Sequence, residues 1–78
     1  MDYEVIREAR LRRPFRPFFL RTVDGQIFFI REDVHVAVSP TVVAVYDEAQ
    51  NNRAILKPSD IDGIQYADQP LGATTNGN

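Results

Sequence analysis

The chain has no cysteine and no tryptophan, and His35 is its only histidine. Lack of cysteine removes disulfides and thiolate metal centres together, and one imidazole cannot build a histidine-rich metal site. No apolar run exceeds five residues, the longest being Val42 to Tyr46, whereas a membrane-crossing helix needs ~20. No basic start followed by an apolar stretch and a small-residue cleavage site is present, so no signal peptide is expected and a cytoplasmic location is the default. There is also no glycine-rich phosphate loop, and Ser39 and Ser59 have no histidine arranged to activate them. The expectation is therefore no catalytic residue, no cofactor, no metal and no membrane segment.

What is present suits one small domain. A chain of 78 residues buries only about 60% of the surface its unfolded form exposes. Without disulfides or metals, either its core is efficient or a second subunit helps. The net charge of −2 conceals an asymmetry. Residues 1–21 carry six arginines against Asp2, Glu4 and Glu8, giving +3, while residues 22–78 carry three cations against eight acids, giving −5. The basic end is suited to phosphate, and equally to the acidic remainder of its own fold or of another copy.

Local patterns predict a helix over about residues 2–13, capped by Asp2 and ended by Pro14, with Val5, Ile6 and Ala9 on one face. "FFLRTVDGQIFFI" predicts a hairpin turning at Asp24-Gly25. A two-residue loop would set Phe18 opposite Arg31. A three-residue loop, Val23-Asp24-Gly25, pairs Leu20 with Phe28 and Phe18 with Ile30, giving one wholly apolar face. That register leaves Phe19 opposite Phe29 on the other face, beside Arg21 and Ile27. "DVHVAVS" alternates, which predicts Val34, Val36 and Val38 on one face and His35 and Ala37 on the other. "VVAVYD" predicts a strand with Val43 and Val45 inward and Val42, Ala44 and Tyr46 outward. "RAILK" predicts a fifth strand, Pro58 to Ile61 a single helical turn, and "GIQYA" a last strand with Ile64 and Tyr66 on one side. Residues 68–78 have little to bury and are expected to form a disordered tail.

The expectation is a mainly β domain over residues 1–67: one short N-terminal helix and a strongly bent antiparallel sheet of five or six strands, an SH3-like or Sm-like half-open barrel. Its core centres on Phe18, Leu20, Phe28, Ile30, Val36 and Val45. "RPFRPFFLRTVDGQIFFI", "VAVSP" and "VVAVYD", spanning Arg12 to Asp47, resemble a group of small bacterial proteins. That resemblance implies the domain boundaries and an all-β body, and it implies no activity. The order helix, hairpin and closing strands is also similar to the Sm-like family, which includes bacterial RNA chaperones. This second resemblance implies a ring-forming, RNA-binding fold. The chain departs from that family in having no glycine in the second strand, and "AILKPSDIDG" differs from the lysine-histidine loop of the RNA chaperones.

Several stretches are candidate sites. Arg12, Arg13, Arg16 and Arg21 interleave with Phe15, Phe18 and Phe19, a pattern suited to phosphate contact and base stacking. In the structural reading Phe18 is core, Phe15 packs the helix onto the sheet, and the arginine stems cover apolar surface with their heads in water. Pro14-Phe15-Arg16-Pro17 matches the spacing of proline-rich docking peptides but leads straight into a strand. His35 is read as a surface or interface residue. "SDIDG" is read as a turn with acidic caps, because a calcium loop aligned on its glycine would place Pro58 and Gln69 at the anchoring positions. Glu32-Asp33 and Asp47-Glu48 are read as solvated strand ends. Phe19, Ile27, Phe29, Val42 and Tyr46 lie outside the expected core, and apolar groups on an exposed face mark an interface. The leading expectation is thus a non-catalytic protein-interaction module or self-assembling subunit, a homo-oligomer or bound to a protein partner. The alternative is an Sm-like RNA-binding protein using the four arginines of segment 12–21.

Overall fold

The structure, a computed structural model, describes residues 1–68. Helix α1 spans Tyr3–Leu11, and the Asp2 carboxylate caps it by accepting the Glu4 N–H at 3.0 Å. Arg12 lies just past its end, two residues ahead of Pro14, whose ring disfavours helical angles in the residue before it. Ile6 and Ala9 are buried, whereas Val5 is half exposed at the edge of the stripe. Phe15 packs on Phe18 with ring centroids 6.0 Å apart, tying the segment after the helix to the core.

Strands β1 (Phe18–Thr22) and β2 (Ile27–Ile30) pair in the register of the three-residue loop: Phe18 opposite Ile30, Phe19 opposite Phe29, Leu20 opposite Phe28, Arg21 opposite Ile27. Gly25 has φ +92, a conformation that costs any residue with a Cβ. The buried Thr22 closes the turn, its hydroxyl accepting the Gln26 N–H at 2.9 Å and donating to the Asp24 carboxylate.

The next segment departs from simple alternation. Asp33–His35 form one 3₁₀ turn, and only Val36–Val38 make β3. The turn breaks the two-residue period, so Val34 does not join Val36 inside and is 73% exposed. Strand β4 (Val43–Asp47) buries Val43, Val45 and Asp47, and pairs with β3 and with β5 (Asn52–Leu56). A second 3₁₀ turn, Pro58–Asp60, leads into β6 (Ile61–Tyr66), which pairs with β1.

The six strands sort into two three-stranded antiparallel sheets, β2-β1-β6 and β3-β4-β5, rather than one continuous bent sheet. Their inner faces share one core: Phe18, Leu20, Phe28, Ile30, Val36 and Val45 as expected, joined by Ile6, Ala9, Val43 and Ile61. Ile61 enters through a β-bulge. Arg21 pairs with Gly63 and Thr22 with Ile61, so Asp62 is an extra residue on β6. Ile61 and Ile64 are an odd number apart and would otherwise face opposite sides. The bulge turns both inward, opposite Thr22 and Leu20.

Asp47 is not a solvated strand end. It is 1% exposed, and its carboxylate joins the two sheets. Oδ2 accepts the Phe29 N–H of β2 at 3.0 Å, while Oδ1 accepts the Gln50 N–H at 3.2 Å in the β4–β5 turn. Its sequence neighbour Glu48 is exposed and lies 3.5 Å from Arg31. Asp68, the first residue of the expected tail, is held by Arg16. The remainder of that tail, 69–78, lies outside the described residues.

Candidate interaction surface

Burial of one face of each sheet sends the alternate side chains outward, and these define two apolar surfaces. On the first sheet, β1 and β2 set Phe19 and Phe29 directly opposite, and their rings lie 5.0 Å apart at 38°. Phe19 is 40% exposed and Ile27, two residues from Phe29 on the same face, is 53% exposed. Arg21 opposes Ile27, and Gln65 flanks Phe19 from β6. This is an aromatic pair with a polar border.

On the second sheet, Ala37, Ala44 and Ile55 form a cross-strand row, with Tyr46 opposite Arg53 beside it. The two alanines leave a shallow depression of about 490 Å³ between larger side chains. Tyr46 is fixed from two directions. The His35 ring meets it edge-on at 5.5 Å, and the Arg53 guanidinium lies 5.3 Å from its centre. Val34 and Ile55 stand at the rim, Ile55 being 75% exposed. His35 Nδ1 is buried with no hydrogen-bond partner among the described residues.

The five expected interface residues are therefore divided: Phe19, Ile27 and Phe29 on one sheet, Tyr46 on the other, and Val42 in the turn just before β4, 42% exposed. Sequence reasoning missed Val34 and Ile55. Val34 was hidden by an alternation that the 3₁₀ turn interrupts. Ile55 sits in an unbroken apolar triplet, Ala54-Ile55-Leu56, where period-two reading has no contrast to work with.

The arginines of segment 12–21 are largely occupied by their own chain. Arg13 Nη2 meets Asp33 Oδ2 at 2.6 Å, and Arg21 Nε meets Asp62 Oδ2 at 3.1 Å. Arg16 binds both oxygens of Asp68, at 2.7 and 3.0 Å, and lies 4.0 Å over the Tyr66 ring. Its hydrogen bonds hold the Asp68 carboxyl below its ordinary value and raise Arg16 in return. Arg12 lies over the same ring at 5.4 Å. The basic start thus meets acids of residues 22–78 within one molecule.

Other polar candidates also have local partners. Asp60 Oδ2 accepts the Lys57 N–H at 2.9 Å, and Ser39 Oγ accepts the Val42 N–H at 3.0 Å within its turn. Among the described residues no three acidic or histidine side chains gather as metal ligands, and no helix is long and apolar enough to cross a membrane. No protein-family model, curated protein or solved structure matches the chain.

Proposed function

We propose that this chain is a non-catalytic interaction module of the cytoplasm that assembles with copies of itself or with a protein partner through its outer sheet faces. The observation that carries this reading is the exposure of apolar side chains gathered by strand pairing. Phe19, Ile27 and Phe29 cluster on one sheet, and Ile55, Val34 and Tyr46 surround the alanine depression on the other. Apolar groups gathered in this way lose more from contact with water than scattered ones and favour burial against a partner. The architecture is read as an SH3-like half-open barrel, supported by the hairpin β1–β2, the meander β3–β4–β5 and the return of β6 to pair with β1. An Sm-like, RNA-binding reading has less support, because three of its four arginines already face carboxylates.

Sedimentation velocity over a range of protein and salt concentrations tests the proposal. The wild type should associate with little dependence on salt, and Phe19→Ser with Phe29→Ser should yield a folded, less associated protein. Apolar contact is insensitive to screening, whereas phosphate binding weakens steeply with added salt. Tight, salt-sensitive RNA binding that vanishes with Arg12→Ser, Arg13→Ser and Arg16→Ser would overturn the reading.

A further inference from the structure

The outer edge of a sheet carries alternate backbone N–H and C=O groups with no neighbouring strand, and folded proteins cover or distort such edges. Here the edges are β2 and β6 of one sheet and β3 and β5 of the other. At β2 the Asp47 carboxylate accepts the Phe29 N–H. At β3 Arg10, reaching from α1, donates Nε to the Val36 carbonyl at 2.7 Å. β6 is bent by the bulge at Asp62, and the Met1 amino group donates to its Ile61 carbonyl at 3.2 Å. Among the described residues β5 has no comparable hydrogen-bonded cover. Its strand neighbour among them is β4 alone, and no side chain among them bonds to its backbone between Asn52 and Leu56.

We infer that β5 pairs antiparallel with β5 of a second copy across a two-fold axis, joining two three-stranded sheets into one of six strands. This deepens the self-association proposed above and rests on it. Such an isologous contact needs a self-complementary strand, and charge decides the register. A two-fold perpendicular to the sheet keeps the half-buried Ala54 and Leu56 on the inner side of both copies, so opposed residue numbers have an even sum. An axis at Arg53 would set Arg53 against Arg53, and an axis at Ile55 would set Arg53 against Lys57. Both place like charges directly opposite, which destabilises a strand pair. An axis at Ala54 sets Arg53 of one copy against Ile55 of the other and Asn52 against Leu56, with no charges opposed. In that register the exposed Ile55 lies along the aliphatic stem of an arginine whose head is drawn toward Tyr46. The Lys57 N–H turns back to Asp60, and Pro58 follows, so pairing stops after Leu56.

The test compares Ile55→Glu with Ile55→Lys by sedimentation velocity at low salt. Ile55 is 75% exposed and faces Ala44 within its own sheet, so both variants keep the fold and lose the same apolar contact. With the axis at Ala54, the new carboxylate lies opposite Arg53 of the second copy, twice per dimer, and the new ammonium repels it twice. Ile55→Glu should therefore associate roughly tenfold more tightly than Ile55→Lys, with the gap shrinking as salt is added. The net charge of −2 favours the reverse order, so the sign is diagnostic. Because the chain has no cysteine, Ala54→Cys supplies a second readout. Opposed residues sit about 4.5–5.5 Å apart between Cα atoms, within disulfide reach. Oxidation should link Ala54→Cys into dimers faster than Gln50→Cys in the exposed turn. Equal weakening by both Ile55 variants, or equal cross-linking, would overturn β5 pairing while leaving face-mediated assembly standing. A wild type that stays monomeric throughout the concentration series would overturn both.

Discussion

Replacing Asp47 by alanine tests how the two sheets are held together. The carboxylate is 1% exposed, with Oδ2 on the Phe29 N–H and Oδ1 on the Gln50 N–H. Truncation deletes both acceptors at once. A buried donor left without a partner costs about 1–3 kcal/mol, with bonds to charged acceptors toward the upper part of that range. Gln50 is exposed and recovers a bond from water, so its loss counts for less. Phe29 is half-buried on an edge strand, and its loss counts for more. The expected total is about 2–4 kcal/mol, a large part of the 5–15 kcal/mol that stabilises ordinary domains. For a domain of this size each kcal/mol moves Tm by roughly 4–8 °C, so a fall of at least ~10 °C is expected. Asp47→Asn keeps one carbonyl acceptor and should fall between wild type and alanine. Thermal and urea unfolding at dilute protein, where association does not add stability, provide the measurement. An Asp47→Ala midpoint within about 2 °C of wild type would refute the assignment of Asp47 as the link between sheets.

Two further outcomes follow from the β1–β2 hairpin. No atom lies within 4 Å of the Cβ that Gly25 lacks, so the cost of Gly25→Val is conformational rather than steric. At φ +92 that cost is about 1–2 kcal/mol, and calorimetry should show Tm lowered by several degrees, with part of the loss restored by Gly25→Asn. The Thr22 hydroxyl, followed by Gln26, holds the Asp24 carboxyl below its ordinary value by donating to the ionised form. The folded pKa is thus below the unfolded one, so this contribution is present above the ordinary carboxylate pKa of ~3.9 and is lost as pH falls through the lowered folded value. Between about pH 5 and 2, wild-type stability should fall more steeply than that of Asp24→Asn, and matching acid limbs would contradict this account.

The hairpin was legible in the sequence because everything that sets it is local. Gly25 supplies the positive φ, and the alternation of Phe18, Leu20, Phe28 and Ile30 penalises a slip by turning every core side chain outward. The Asp2 cap and the inward Val43 and Val45 were legible for the same reason, since each depends on residues within one turn or one strand. Val34 shows where such reading fails. Its alternation with Val36 is real in the sequence, but a 3₁₀ turn rotates it out of register.

Tertiary contact decided the rest. Asp62 becomes a bulge because Thr22 and Leu20 of β1, about forty positions earlier, require both Ile61 and Ile64 on the inner face. Asp47 looks like any acidic strand end until β2 presents an unpaired N–H beside it. The same holds for the arginines of segment 12–21. Their charge is visible in the sequence, but whether it is spent on phosphate or on carboxylates depends on Asp33, Asp62 and Asp68, which folding brings within about 3 Å. The exposure of β5 is likewise a property of sheet order alone. A strand becomes an edge through what fails to pair with it, and no residue within Asn52–Leu56 encodes that absence.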